Sequence, residues 1–506
     1  MKDWLHLFSS LYASARKRVV TPKKKDVPAG CGISFFNTLS RSVEQFTSLQ
    51  PGVAKMYNCG PTVYGRQHIG NLSMFVFTDI LRKTLEYNGY KVKQVINFTD
   101  FGHLSSDGDE GEDKMTKGLK REGLALSLEN MRALGEKYAD IFLEDVRSLN
   151  VPVDTITFPR ASDFIPAQIA MIHTLQEKGY TYSASGNVYF DTSRFSDYGK
   201  LGGINLEGLK SGARVKISED KKNPTDFLLW KSSKRLGWDS PWGKGFPGWH
   251  IECSAMIRAT LGAQIDIHTG GIEHIPIHHN NEIAQSESAT GKRPLSRFWM
   301  HRAHIQLEGS KIAKSAGNVI YMSDIIERGF HPLALRYLFL SSHYRTASNF
   351  TWEALGAAQT AFAKLVALRL ASAHVSPTAN TEWKRKFTVK IDNDLDTPGA
   401  LSILWEMAHD ASLSEDERLS TLLDFDSVLG LNLAEPNDTA RKLAEGFMRK
   451  EIQAADVPEH VAALIKEREA ARSATDWKRA DELRDTLAGE GYSLEDSSDG
   501  LKILKM

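Results

Sequence analysis

Along KMYNCGPTVY, Lys55 to Tyr64, apolar and polar residues alternate with the period of a strand, and the pattern breaks at Gly60-Pro61. In LSMFVFTDILRKTLEYNGY, which follows GRQHIGN, the apolar positions recur at helical spacing and stop at Gly89. KVKQVINFTD then reads as a second strand. Strand, helix and strand with short joints form a βαβ unit, the start of a parallel sheet. Helical spacing returns from Leu126 to Leu149 and from Ile165 to Lys178. Between Tyr180 and Phe246 the text changes: GNVYFDTSRF and TDFLLW read as strands among glycine- and proline-containing turns, an insertion in the sheet domain. The α/β pattern resumes at Gly248 with HIECSAMIRATLG and then QIDIHTGG, a strand ending in glycines. Beyond about Phe350 the strands are expected to stop, and WEALGAAQTAFAKLVALRLAS and TPGALSILWEMAHD look like bundle helices. After a break at AADVPEH, the last fifty residues read as two helices and a small hairpin, SLEDSSDGLKIL.

Composition adds limits. A chain of 506 residues with 41% hydrophobic content is ordinary multi-domain globular material. Its 63 basic residues balance its 63 acidic ones, so no global basicity announces nucleic acid, although a local basic face is compatible with this. No apolar run approaches the roughly eighteen residues of a membrane span. Three cysteines, Cys31, Cys59 and Cys253, argue against a disulfide framework and fit a reducing compartment. Residues 1–30 carry seven Lys/Arg against two Asp and read as a basic extension or an organellar presequence.

Three segments carry candidate chemistry. In PIHHNNEIAQSE, His278 and Glu282 lie four apart and share a helix face. Taken alone, this is a half-exposed helix start with incidental polar residues. Cys59 at a strand end and Cys253 near a helix start change the picture, because strand carboxyl ends converge on one crevice in a parallel α/β fold. Thiolates, imidazole and carboxylate all suit zinc. In GPTVYGRQHIGN, glycines and a following helix start suit a phosphate, with His68 as a possible donor. In GSKIAKSAGN, two lysines three apart can bring charge to a polyphosphate; alone, it is a solvated loop.

HIGN at His68–Asn71 and KIAKS at Lys311–Ser315 resemble the two signatures of class I aminoacyl-tRNA synthetases. MYNCGPTVY, NFTD, GWHIECSAM, DIHTGG and HHNNEIAQSE narrow the resemblance, from about Ile33 to the C-terminus, to the cysteinyl-tRNA synthetase family. The resemblance implies zinc held by Cys59, Cys253, His278 and Glu282. It implies Gly60, Thr99, Trp249 and His268 around a bound cysteine. His68, Lys311 and Lys314 are then the catalytic residues, and Gly70, Asn71 and Lys314 the ATP contacts. It also implies ATP with Mg²⁺ and tRNA(Cys) as partners, no membrane, and a cytoplasmic monomer, or an organellar one if residues 1–30 are a presequence.

The sequence departs from the family at Asn71, where many members have histidine, and at Ile312-Ala313 in place of Met-Ser. The acidic segment 101–113 is longer than the commoner form. The expected architecture is a Rossmann-like parallel sheet split by an insertion, then a helical bundle and a small C-terminal α+β domain. Its boundaries are an extension 1–30, catalytic halves 31–150 and 248–308, and a connective insertion 151–247. A signature loop and stem-contact region follows at 309–350, a bundle at 351–455 and an anticodon domain at 456–506. Two rival functions are a cysteine ligase to an amino-sugar acceptor, disfavoured by the terminal domain, and a non-catalytic RNA-binding relative, disfavoured by the intact ligands and lysines.

Overall fold

The computed structural model describes residues 32–101, 113–203, 220–307, 310–311, 319–371, 378–448, 450–497 and 500–505. The basic extension, most of the acidic segment 101–113, and Ile312, Ala313 and Lys314 lie outside the described residues.

A hairpin of β1 (Ser34–Asn37) and β2 (Ser42–Gln45) leads into β3 (Val53–Asn58), α1 (Ile69–Tyr87) and β4 (Lys91–Ile96). The helices α2 (Lys114–Arg121), α3 (Leu128–Ser148) and α4 (Ile165–Glu177) follow. The expected insertion is an antiparallel sheet of β5 (Thr181–Ala184), β6 (Asn187–Phe190), β7 (Phe227–Ser232) and β8 (Gly245–Pro247). The chain then returns to the first sheet through α5 (Trp249–Thr260), β9 (Ile265–Gly271), α6 (His278–Thr290) and β10 (Ser296–Arg302). The strand order is β10-β9-β3-β4, parallel throughout.

Both faces of this sheet are covered, as a parallel sheet requires. Met56, Ile96, Ile267 and Met300 face the core shared with α1, α3 and the C-terminal helices. Tyr57, Val95 and Trp299 face the core formed with α4, α5 and α6. The two halves are sewn together where β3 pairs with β9, Met56 opposite Ile267, Tyr57 opposite His268 and Asn58 opposite Thr269. A buried side-chain ladder crosses the same seam: Gln94 Nε2 donates to Asn58 Oδ1 at 2.8 Å, and Asn58 Nδ2 to Thr269 Oγ1 at 2.6 Å.

The half-exposed reading of the HHNNEIAQSE helix is corrected by the structure. Every residue of α6 from His278 to Ala289 is buried. Several of its polar groups bond to neighbours: Asn280 Oδ1 accepts from the Leu201 backbone N–H at 3.2 Å, and Gln285 Nε2 donates to Ser254 Oγ at 2.7 Å. Gln285 Oε1 and Ser288 Oγ, by contrast, are buried without a partner among the described residues.

After β10 come β11 (Ile305–Leu307) and β12 (Ser310–Lys311), then α7 (Met322–Glu327), α8 (Pro332–Leu340) and β13 (Ser348–Phe350). The bundle contains α9 (Trp352–Leu370), α10 (Thr381–Asp392), α11 (Thr397–Ala408), α12 (Glu415–Leu429) and α13 (Asp438–Glu445). Several strands escaped the sequence pattern, β1, β2, β10, β11, β12 and β13 among them, and so did one beyond Phe350. Lys450–Ile452, β14, pairs antiparallel with the last strand, so the terminal hairpin of β15 (Tyr492–Ser497) and β16 (Gly500–Lys505) is part of a three-stranded sheet. Three residues are too short to show an alternation. With α14 (Glu459–Ser473) and α15 (Trp477–Gly489), this sheet encloses a core of its own, including Val461, Ile465, Leu487 and Ile503.

The bundle is fastened to the catalytic half by Arg336 of α8, which is fully buried. Its guanidinium donates to the carbonyls of Leu429 at 2.7 Å and Leu149 at 2.8 Å, and to Asp79 of α1 at 2.7 Å. Burial alone would raise the Asp79 carboxyl, but Arg336, Lys83 and Arg82 outweigh it and hold the group below its ordinary value. A depressed carboxyl contributes stability above its unfolded pKa of about 4 and loses it as pH falls through the folded value. We expect Arg336→Met to cost about 3 kcal/mol or more, since it strips a buried carboxylate of a partner. Urea unfolding at pH 7 and pH 3 checks both statements: the gap between variant and parent should narrow at the lower pH.

Candidate active site

The carboxyl ends of β3 and β9 open onto a cavity of about 600 Å³. One end is lined by Cys59, Gly60, Asn97, Thr99, Trp249, Cys253 and His278, and the other by His68, Gly70, Asn71 and Arg302. Cys59 follows β3 directly, and its N–H donates to the Thr269 carbonyl of β9 at 3.1 Å. Gly60 has no room for a side chain, because a Cβ would run into the Asn97 carbonyl.

The four expected metal ligands converge. Cys59 Sγ, Cys253 Sγ, a His278 nitrogen and a Glu282 oxygen all lie within 4.8 Å of one another, and all four residues are buried. His278 Nε2 is 2.9 Å from Glu282 Oε1, while Glu282 Oε2 is 2.9 Å from His268 Nε2. A second set, Cys59, His268, His279 and Glu282, meets the same distance condition. His279 is held differently: its Nε2 lies 3.3 Å from Cys59 Sγ, and its Nδ1 lies 2.8 Å from His301 Nε2. His301 Nδ1 continues this chain to Thr38 Oγ1 at 2.8 Å. On the other side, His278 Nδ1 lies 2.8 Å from His250 Nδ1, and Trp249 stacks on the His278 ring at 4.2 Å.

The electrostatics of the cluster favour a cation. Hydrogen bonding from Cys59, aided by His278, brings the Cys253 thiol down to about 6 against the effect of burial. Cys59 is pushed up, first by burial and then by its neighbour Cys253. Burial disfavours charge on His278, yet Glu282 and Cys253 raise it to about 10. Glu282 is likewise held well below the ordinary carboxylate range, because His268 and His278 outweigh its burial. Two thiols, an imidazole and a carboxylate in one buried cluster fit a thiophilic divalent metal.

Of the substrate contacts expected from sequence, Gly60, Thr99 and Trp249 line the cavity, whereas His268 stands behind it, hydrogen-bonded to Glu282 and stacked on Trp299 at 4.5 Å. Sequence reading missed Asn97 and Glu252. Asn97 Oδ1 accepts the Gly60 N–H at 2.9 Å and its Nδ2 donates to Thr99 Oγ1 at 3.3 Å. Thr99 Oγ1 donates in turn to Glu252 Oε2 at 3.1 Å. Both residues lie inside motifs already singled out, NFTD and WHIEC, and only their contacts were hidden.

At the other end, His68 is the N-cap of α1: its Nδ1 accepts the Asn71 N–H at 3.2 Å, which leaves the ring proton on Nε2 as a donor. The start of α1 is tied to the chain just beyond the second signature, since the Ile69 N–H donates to the Ile320 carbonyl at 2.9 Å. Lys311 is described through its backbone in β12, paired with Gln306; Lys314 lies outside the described residues.

A family model described as "tRNA synthetases class I (C) catalytic domain" matches residues 45–360, and a second, "Cysteinyl-tRNA ligase anticodon binding domain", matches residues 454–502. A methionyl-tRNA synthetase of Mycobacterium tuberculosis, solved with methionyl-adenylate, shares the fold. Its TM-score is 0.51 at 14% identity, over 77% of this chain and 93% of that one. The parallel sheet, the split by an insertion and the α1 signature thus define a class I aminoacyl-tRNA synthetase. Over 480 residues the chain is 43% identical to cysteine–tRNA ligase 1 of Burkholderia lata, covering 94% of this chain and 97% of the relative. It is 39% identical to the cysteine–tRNA ligase of Treponema denticola over 496 residues, 92% of this chain and 98% of the relative. The chain belongs to the cysteine–tRNA ligase family.

The two overlapping ligand sets make distinct predictions. Cys253→Ser should lose tightly held zinc, whereas His279→Asn should keep most of it, with metal content read by atomic emission after dialysis. Retention in the first variant and loss in the second would assign the metal to the His268–His279 set.

Proposed function

We propose that the chain activates L-cysteine with ATP and transfers it to the 3′ end of tRNA(Cys), with zinc at Cys59, Cys253, His278 and Glu282. The observation that carries this reading is the buried two-thiol, imidazole and carboxylate cluster at one end of a cavity whose other end is the α1 N-terminus. The set containing Cys253 is preferred because it offers two soft sulfurs, and because His250 engages the outer nitrogen of His278. Bound there, zinc supplies a soft partner for the substrate sulfur that a serine hydroxyl cannot match, where apolar contacts alone separate near-isosteres only ~10–200-fold.

In the first step a cysteine carboxylate oxygen attacks the α-phosphorus of ATP, the anhydride bond of the adenylate forms, and pyrophosphate leaves. Mg²⁺ enters as the ATP complex. Thr99, oriented by Asn97 and Glu252, and Trp249 wall the amino-acid end. His68 presents its Nε2–H toward the phosphates, and Lys311 and Lys314 bring charge to the leaving pyrophosphate, positioned donors acting where charge develops. In the second step the terminal ribose hydroxyl attacks the activated carbonyl and AMP leaves.

A tRNA acceptor is favoured over an amino sugar by the terminal domain. Trp477, at the start of α15, is 60% exposed, which removes the alternative of a core tryptophan and leaves a stacking face among Lys478, Arg479 and Arg484.

Cysteine-dependent pyrophosphate exchange with serine inert is the direct test. Lys314→Ala should depress the exchange rate about a hundredfold or more with little change in the KM for cysteine, since its charge acts in the transition state. An unchanged rate would remove Lys314 from the mechanism. Ending the chain after Met448, upstream of β14, should preserve exchange and abolish most tRNA charging. Undiminished charging would reopen the amino-sugar alternative.

A further inference from the structure

β10 ends on Arg302, a residue that no motif singled out. It is 5% exposed and lines the cavity beside His68, Gly70 and Asn71. Its Nε donates to Ser73 Oγ at 2.8 Å, and Ser73 Oγ donates to the Gly70 carbonyl at 2.7 Å. The guanidinium is thereby braced against the first turn of α1, and the Phe339 ring centroid lies 5.9 Å from it. Among the described residues no carboxylate pairs with it. Glu273, the carboxylate among the described residues lining the cavity, is 3.5 Å from His304 instead. Burial draws the Arg302 pKa down to about 10, with no anion among the described residues opposing it. A buried cation without a counter-ion is costly, and this one has its two terminal nitrogens uncommitted to protein acceptors among the described residues.

We propose that Arg302 is a nucleotide-contact residue whose guanidinium binds phosphate oxygens of ATP beside the amino-terminal turn of α1. The proposal rests on the adenylate-forming reading above and adds a residue to it. Three features fit a phosphate. The planar fork matches two phosphate oxygens at once. The N-terminal end of a 19-residue helix adds its own positive field at the same place. The neutral Asn71 of the first signature brings no charge there, so Arg302 supplies from β10 a cation that the signature itself lacks.

The test is equilibrium binding of ATP and of adenosine to the full-length protein, its Arg302→Met and Arg302→Lys variants, and Ser73→Ala. Arg302→Met should weaken ATP about tenfold or more and leave adenosine within about twofold, because the lost bonds are charge-assisted contacts to phosphate. Arg302→Lys should recover part of the loss, and Ser73→Ala, which only unbraces the guanidinium, should show a smaller one. Adenosine binding doubles as a folding control; should the methionine variant unfold, the lysine variant carries the comparison. Unchanged ATP affinity, or equal losses for ATP and adenosine, would overturn the proposal, the latter by assigning Arg302 to the nucleoside. Wild-type cysteine-dependent exchange, measured in parallel, separates the two readings: its absence counts against the ligase chemistry, whereas this proposal fails only in the variants.

Discussion

The site depends on one short seam, the parallel pairing of Met56, Tyr57 and Asn58 with Ile267, His268 and Thr269. It joins strands separated by the whole insertion. The entropic penalty for closing such a loop grows only logarithmically with its length, so a large insertion is tolerated once the seam is secure. The seam is secured by backbone pairing, by the Gln94–Asn58–Thr269 ladder and by the bond from Cys59 to the Thr269 carbonyl. Only with the seam closed do Cys59 and Gly60, beyond the end of β3, come beside the α6 residues that follow β9.

Around that seam the interior carries an unusual density of titratable groups, and burial decides their states. Imidazoles that face mainly other imidazoles, such as His279 and His301, are held neutral because burial penalises the charge and no carboxylate compensates strongly enough. Without a metal, Glu282 and Cys253 favour a proton on His278, and a bound metal would take that proton's place. Neutral, mutually hydrogen-bonded histidines form a firm packing layer, and the charge is concentrated on the few donors at the cavity floor. A comparable division holds on α1. Its first turn meets the cavity, and ten residues further on Asp79 meets Arg336 and thereby the bundle. One rigid helix thus links the cavity to the domain junction.

Much of the architecture was legible in the pattern of apolar positions. The βαβ start, the insertion and the bundle helices each follow from a local period, and local periods reflect which face of an element must be buried. The residue types of the candidate metal cluster could be proposed from sequence too, because few side chains other than Cys, His and Glu suit a thiophilic cation. Periodicity was less able to place β14, whose three residues pair with a strand some fifty positions away, or to show that α6 is buried on all sides. The neighbours that cover α6 come from the insertion and from α5, far from it in sequence.

The sequence by itself determined the βαβ start, the order of the main helices, the signatures and the chemical kinds of candidate ligand, since each is written in spacing or composition over a few turns. Only the tertiary structure decided which neighbours hold each group. Two adjacent histidines, His278 and His279, reach different partners because successive helical positions point about 100° apart. Asn97 and Glu252 orient Thr99 through contacts that cross between strand and helix. Arg302, at the end of an unremarked strand, becomes a buried cation facing the cavity because β10 lies at the edge of the sheet beside α1. Such assignments depend on which distant segments enclose a side chain, and enclosure is a property of the packed chain that no local pattern contains.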